Sequence, residues 1–373
     1  MISCLFIMHS FGGGAEKTAC ALITNLDRAH FAPSVCCMRH IPEWREHLPP
    51  DVQLIMPEKK GILPFGRILW RAWRLARKSD VVIGSLEPRS IFWAALLGGK
   101  KALAWIHKDL SPYFAMKKTW FVLAYTTILR WAMRRSGKVI GVGQGVAGTL
   151  NRLFPESKER IGVLYNPLDE KEILAAAAAP LPDELRLCFG KPVILGVGRL
   201  VPQKAFHLLI RAHAELLADG VEHHLCILGE GPERNFLRSE AERLGRVESV
   251  FLPGYMNPYP IMARAHVLAG SALFEGFGLV ILEGMILGAP VVYSDCRSGP
   301  RELLGDNEYG LLVPPGDAHA LAMALARMFE PKTHAHYSRM ALRRGKMLNS
   351  LGDNVRAWED TLAFVVGPEG TLG

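Results

Sequence analysis

Short unbroken apolar runs alternate along the chain with longer stretches in which apolar residues return every three or four positions. Runs of Val, Ile and Leu without polar alternation predict strands covered on both faces, as in a parallel sheet between helices. In the first half such strands are expected at 2–8, 33–38, 52–56, 80–84, 102–106, 138–142 and 161–164, with helices at 15–26, 67–78, 88–97, 116–135 and 145–153. The second half repeats the pattern, with strands at 192–197, 224–228, 249–252, 267–269 and 290–293 and helices at 206–217, 232–244, 279–287 and 318–329. A last helix at 353–366 carries Val355, Trp358 and Leu362 on one face. Alternation of this kind implies the α/β class, here two doubly wound parallel-sheet domains facing a cleft. The alanine run 175–179 is followed by Pro180 and Pro182, which cannot continue a helix. The expected domains are therefore 1–168 and 169–352, with the helix 353–366 packing back on the first.

A length of 373 residues agrees with two domains, and 49% apolar against 21% charged residues is a globular composition. The net charge of +8 is unevenly placed. Residues 1–168 hold 24 basic and 11 acidic residues, or +13, whereas 169–373 hold 20 and 25, or −5. Residues 60–138 alone carry 16 basic and 3 acidic side chains, interleaved with Trp70, Trp73, Trp105, Trp120 and Trp131. A one-sided basic, tryptophan-rich field predicts an anionic partner, and an anionic membrane surface fits better than nucleic acid, for which no binding module is present. No apolar stretch is long and clean enough to span a bilayer. The apolar start, 1–8, is followed by glycines instead of a cleavage site and reads as a buried strand. Seven scattered cysteines with no CxxC pair predict no disulfide framework and fit a reducing cytoplasm.

In such domains the loops after the strands carry the chemistry. Gly12-Gly13-Gly14-Ala15-Glu16-Lys17 joins the first strand to the first helix. Its glycines permit close approach of a ligand, and a helix start offers free amides to a phosphate, so Gly13 and Gly14 are candidate contacts. Gly143-Gln144-Gly145-Val146-Ala147-Gly148 has the spacing of a dinucleotide fingerprint. It follows about the sixth strand and lacks a well-placed acidic partner, so it is read as packing glycine. In the second domain, Gly198-Arg199-Leu200-Val201-Pro202-Gln203-Lys204 places two cations on one loop, an arrangement that can clamp a diphosphate. Glu275-Gly276-Phe277-Gly278-Leu279 opens a helix that carries Glu283 among apolar residues. A carboxylate in such surroundings must be paired or bound to hydroxyls, and amides at Phe277, Gly278 and Leu279 can face phosphates. His107 ends a first-domain strand on the side of the expected cleft, and Glu230 and Tyr255 lie on turns that can present groups to a nucleobase. There is no Asp-x-Asp and no cluster at metal-ligand spacing, so no metal site is predicted.

Together these motifs resemble the family 4 glycosyltransferases, retaining enzymes of the GT-B fold, and in particular bacterial enzymes of surface-polysaccharide synthesis. The resemblance rests on Gly12 to Glu16, Gly198-Arg199-Leu200 with Lys204, Gly229-Glu230-Gly231, and Glu275-Gly276-Phe277-Gly278 with Glu283. Gly288-Ala289-Pro290-Val291-Val292 and Gly310-Leu311-Leu312-Val313 extend it. It implies that Arg199 and Lys204 hold the donor diphosphate, Glu283 the ribose, Glu275 the donor sugar, and that His107 contacts that sugar. It further implies transfer with retention from a nucleotide sugar, UDP-linked in this reading, to a lipid-linked saccharide, without metal or other cofactor. The enzyme is then expected to be cytoplasmic, on the inner face of the membrane. Where the family often has Ser three positions before the first Glu, this chain has Ala272, with Ser271 one earlier. An epimerase of the same fold, a non-catalytic nucleotide-sugar-binding subunit, or an oxidoreductase using Gly143 to Gly148 are the rival readings.

Overall fold

The computed structural model describes residues 1–9, 14–40, 42–57, 62–85, 88–115 and 117–367, and these form two compact units. The first comprises Met1–Leu168 with the chain from Leu351 onward, and the second Asp169–Ser350.

In the first unit seven strands make one parallel sheet: β1 (Ile2–Met8), β2 (Phe31–Cys37), β3 (Gln53–Ile55), β4 (Val81–Ser85), β5 (Ala102–Ile106), β6 (Lys138–Gly141) and β7 (Ile161–Val163). Their order is β3-β2-β1-β4-β5-β6-β7, so the chain winds outward from β1 in one direction and then from β4 in the other. β1, β4 and β5 are buried almost throughout, which explains their lack of polar alternation. The helix Leu351–Val366 belongs to this unit and buries Val355, Trp358 and Leu362. The Trp358 ring lies 4.3 Å from Trp105, the largest side chain of β5.

The second unit has six parallel strands: β8 (Val193–Val197), β9 (His224–Leu228), β10 (Val250–Gly254), β11 (Val267–Gly270), β12 (Val291–Ser294) and β13 (Leu311–Val313). Their order is β10-β9-β8-β11-β12-β13. The strand order reverses between β8 and β11, which pair through Val267 with Ile194 and Leu268 with Leu195. Loops leaving the carboxyl ends of these two strands diverge and leave room for a ligand, the usual binding position in open parallel sheets.

Three helices add to the expected elements. The expected helix 116–135 is present as Thr119–Arg135, but a separate short helix, Leu110–Ala115, precedes it, and the chain folds back so that Phe114 packs on Tyr125 at 5.2 Å. The stretch taken as a domain junction contains a helix, Glu170–Ala177, because the Asp169 carboxylate caps it by accepting from the Glu172 amide at 3.1 Å. The strongly polar stretch after residue 330 forms the long helix Pro331–Leu348. It lies so close to the helix Leu279–Ile286 that a Cβ at Gly345 would sit 2.8 Å from the Met285 backbone.

A buried histidine chain stands behind the second sheet. His223 Nδ1 faces the Val221 carbonyl at 2.8 Å and must donate to it, so His223 Nε2 accepts from His213 Nδ1 at 2.8 Å. His213 Nε2 then lies 2.9 Å from Ser249 Oγ, whose hydroxyl is also 3.1 Å from the Arg246 carbonyl. Burial, followed by the neighbouring His223 and Arg246, pushes the His213 imidazole down to about 3. The unfolded chain, with an ordinary histidine near 6.5, therefore binds more protons between those two values. The contribution is complete above pH 6.5 and is lost as pH falls toward 3. Urea unfolding at pH 7, 6 and 5 is expected to show stability falling on acidification, with His213 alone adding a slope approaching about 1.4 kcal/mol per pH unit. His213→Asn should flatten that slope.

Candidate functional site

The loops after β8, β9 and β10 are sewn together by their backbones. Gly198 N donates to Leu228 O at 2.9 Å, Leu200 N to Glu230 O at 2.9 Å, and Gly229 N to Gly254 O at 2.8 Å. Gly229, at φ +142°, is required here, since a Cβ at that position would lie 1.9 Å from the Gly198 carbonyl oxygen. Glu230 points outward and accepts from Arg234 Nη1 at 3.1 Å, and Tyr255 is almost fully exposed.

A second seam joins the β8 loop to the loop after β11. Leu273 N donates to Gln203 O at 2.9 Å, and Gln203 Nε2 donates to Phe274 O at 2.8 Å. The Ser271 hydroxyl lies between the carbonyls of Lys204 and Ala205, at 3.1 and 3.0 Å. Ala205 is held there in the left-handed region at φ 46°, a conformation that an alanine adopts only when its surroundings impose it. This seam sets Lys204 Nζ 2.5 Å from Glu275 Oε1, and Tyr293 on β12 donates its hydroxyl to the same oxygen at 2.8 Å. The lysine and glutamate side chains are 16% and 9% exposed, so the pair is mostly removed from water.

Beyond the loop, Phe277 is buried, and Gly278, at φ 86°, precedes the helix Leu279–Ile286. Glu283 is buried on the second turn of that helix and accepts from the Tyr259 hydroxyl at 2.9 Å. Burial, then the adjacent carboxylate, raises the Tyr259 phenol far above its ordinary value, so it stays a donor. Arg199 is exposed, with no ion pair among the described residues. Lys204 and Glu275 are thus in direct contact, Glu283 has a separate tyrosine partner, and Arg199 keeps its charge open to solvent.

In the first unit, His107 follows β5 directly. Its Nε2 is 3.1 Å from Ser85 Oγ at the end of β4, and its ring centroid is 4.5 Å from that of Trp105. Nδ1 is buried without a partner among the described residues. Burial, helped by Lys108, holds this imidazole down at about 3, so it is neutral at any physiological pH. Gly14 opens the helix Gly14–Asn25 and is exposed, whereas Gly13 lies outside the described residues.

Residues 183–344 match the family model described as glycosyl transferases group 1, and residues 12–172 match that of glycosyltransferase family 4. The chain belongs to the family 4 glycosyltransferases. It is 29% identical to the N-acetylgalactosamine-N,N'-diacetylbacillosaminyl-diphospho-undecaprenol 4-alpha-N-acetylgalactosaminyltransferase of Campylobacter jejuni, over 97% of this chain and 99% of that one. It is 28% identical to the putative colanic acid biosynthesis glycosyltransferase WcaL of Escherichia coli, over 67% of this chain and 61% of the relative. The crystal structure of Anabaena HepE with UDP and glucose superposes with a TM-score of 0.80 at 22% identity, covering 97% of this chain and all of HepE. The sucrose-phosphate synthase of Thermosynechococcus elongatus superposes with a TM-score of 0.81 at 17% identity, over 98% of this chain and 99% of that one. The fold of this family 4 glycosyltransferase is GT-B.

Four residues of this candidate site escaped sequence reasoning: Gln203, Ser271, Tyr259 and Tyr293. Gln203 and Ser271 act through backbone carbonyls and carry no sequence signal for it. Tyr259 and Tyr293 are polar groups inside otherwise apolar segments, and that is the signal that could have found them.

The first unit of the glycosyltransferase also carries an exposed aromatic and basic surface. Trp70 and Trp73 stand out from the helix Ile62–Lys78, with the Arg74 guanidinium 4.7 Å from the first ring and Arg77 5.0 Å from the second. Trp120, Leu123, Ile128 and Trp131 are exposed on Thr119–Arg135, where Arg135 lies 5.2 Å from the Trp131 ring. No helix among the described residues is long and apolar enough to cross a membrane.

Removing one member of a buried ion pair leaves the other charge uncompensated. Lys204→Ala is therefore expected to destabilise the protein by about 3 kcal/mol, while Lys204→Met combined with Glu275→Gln restores most of the loss. Chemical unfolding of the two variants checks this.

Proposed function

We propose that the chain is a retaining glycosyltransferase that moves a sugar from a UDP-linked donor to a lipid-linked saccharide in bacterial surface-polysaccharide or glycolipid synthesis. The observation that carries the reading is the Lys204–Glu275–Tyr293 cluster beside the buried Glu283, at the strand-order reversal of the second sheet. A site for a sugar nucleotide needs cations for the diphosphate and buried carboxylates for the hydroxyls, and this end of the sheet offers both. The full-length similarity to the Campylobacter enzyme, whose name gives a diphospho-undecaprenol acceptor, supports the lipid-linked class of acceptor. UDP is the nucleotide bound in the HepE structure and is the one proposed here.

In this mechanism Glu283 accepts from the ribose hydroxyls and Glu275 from a hydroxyl of the donor sugar. Arg199 and Lys204 hold the diphosphate and stabilise the charge that grows on it as the bond from the anomeric carbon to the phosphate oxygen breaks. The Phe277, Gly278 and Leu279 amides add neutral donors, and Glu230 and Tyr255 border the nucleobase. The acceptor hydroxyl attacks from the face the diphosphate leaves, its proton passes to the departing phosphate oxygen, and configuration is retained. The protein supplies the cations, so the reading needs no metal or cofactor. The exposed tryptophans and arginines of the first unit rest on the anionic inner face of the cytoplasmic membrane, where a lipid-linked acceptor resides.

Arg199→Ala with Lys204→Ala is expected to abolish transfer from a UDP-sugar, measured as UDP release with a lipid-linked acceptor. Near-normal turnover would refute the diphosphate clamp. Glu283→Ala should weaken UDP binding at least tenfold by calorimetry, about the value of a charged hydrogen bond. Replacing Lys117, Lys118, Arg134 and Arg135 by Glu should reduce sedimentation with vesicles containing anionic lipid, and unchanged sedimentation would discard the membrane face.

A further inference from the structure

We propose that Tyr293 is a positioning residue for the donor sugar: it pins the Glu275 carboxylate through Oε1 so that Oε2 is presented to a sugar hydroxyl, and Gly270 is glycine to let it do so. This deepens the reading of Glu275 as the sugar-binding carboxylate and rests on it.

Glu275 Oε1 takes two hydrogen bonds, from Lys204 Nζ and Tyr293 Oη, while Oε2 takes none from any described residue. Two donors on one oxygen, approaching from β12 and from the β8 loop, leave the carboxylate little freedom to rotate. Its second oxygen remains the available acceptor. Tyr293 is paired in register with Gly270 on the neighbouring parallel strand. A Cβ on Gly270 would lie 2.0 Å from Tyr293 Cε2 and 2.4 Å from its Cζ. The ring therefore lies directly over the bare backbone of Gly270, and that path carries the hydroxyl to Glu275 in the loop beyond β11. Any side chain at 270 would lift the ring away. Burial and the adjacent carboxylate raise the phenol well above its ordinary value, so Tyr293 keeps its proton and acts as a donor at all working pH values.

The arrangement also answers a difficulty in the proposed mechanism. Lys204 serves Glu275 in the free protein and the diphosphate when the donor is bound. When its charge is shared with phosphate, a buried carboxylate without another partner would be left undersatisfied. Tyr293 stays on Oε1 throughout and keeps Glu275 oriented while the lysine turns to the phosphate.

Tyr293→Phe tests this, because the ring and its contact with Gly270 are kept and only the hydroxyl is lost. Calorimetry compares UDP with UDP-glucose, UDP-galactose and their N-acetylamino counterparts, on the wild type, Tyr293→Phe and Glu275→Gln. The readout is the gain in affinity of the best UDP-sugar over UDP. Tyr293→Phe is expected to leave UDP affinity within about twofold and to lower the sugar-dependent gain, and donor kcat/KM, about tenfold, the size of one hydrogen bond to a charged acceptor. An unchanged gain in Tyr293→Phe alongside a reduced gain in Glu275→Gln overturns the role of Tyr293 alone. Equal losses for UDP and UDP-sugar mean a merely structural tyrosine and also overturn it. An unchanged gain in Glu275→Gln removes the sugar assignment of Glu275 and this inference with it.

Discussion

The site depends on keeping a lysine and a glutamate together out of water. An isolated buried carboxylate is strongly unfavourable, and a buried pair is tolerated only when its geometry is good and its remaining oxygens and protons find partners. Lys204 and Glu275 meet that condition at 2.5 Å, with Tyr293 as a second donor to the same oxygen. The seam made by Gln203, Ser271 and Leu273 exists in support of it, because lysine and glutamate arrive on different loops, 71 residues apart. A strained alanine at 205 is the visible sign that the loop is held in place by its neighbours and not by its own preference.

The parallel sheets make this possible. Every strand in a parallel sheet delivers its loop to the same end, so five loops of the second unit can be knitted into one platform. The platform is mostly backbone, and it is dense. Gly231 would place a Cβ 2.2 Å from the Leu200 carbonyl, and Gly299 would place one 2.3 Å from the Phe277 carbonyl. Side chains that stand on such a platform have little room to drift.

The two units differ in how they use charge. In the second, Lys204–Glu275 and Arg211–Glu240 are paired and partly buried. In the first, the excess of arginine and lysine lies on helices beside exposed tryptophans, where the guanidinium groups cover ring faces. Such pairs keep a large aromatic surface tolerable in water.

Much of this was legible in the residues alone. The repeated apolar runs specified two parallel-sheet units, because a strand buried on both faces has no other composition open to it. The motifs from Gly198 to Lys204 and from Glu275 to Glu283 identified the family, because their chemistry is local: cations on one loop, carboxylates flanking one helix start. The capped helix Glu170–Ala177 and the polar helix Pro331–Leu348 were not legible, since one begins inside an apparent linker and the other is stabilised by a close approach to Leu279–Ile286. Periodicity likewise found Thr119–Arg135 but not the short helix Leu110–Ala115, which aromatic packing folds back against it. Only the tertiary structure decided that Lys204 grips Glu275, that Tyr293 crosses Gly270 to join them, and that Tyr259 caps Glu283. Those contacts join residues 18 to 71 positions apart, and no pattern along a chain records which loops the sheet order will bring to one edge.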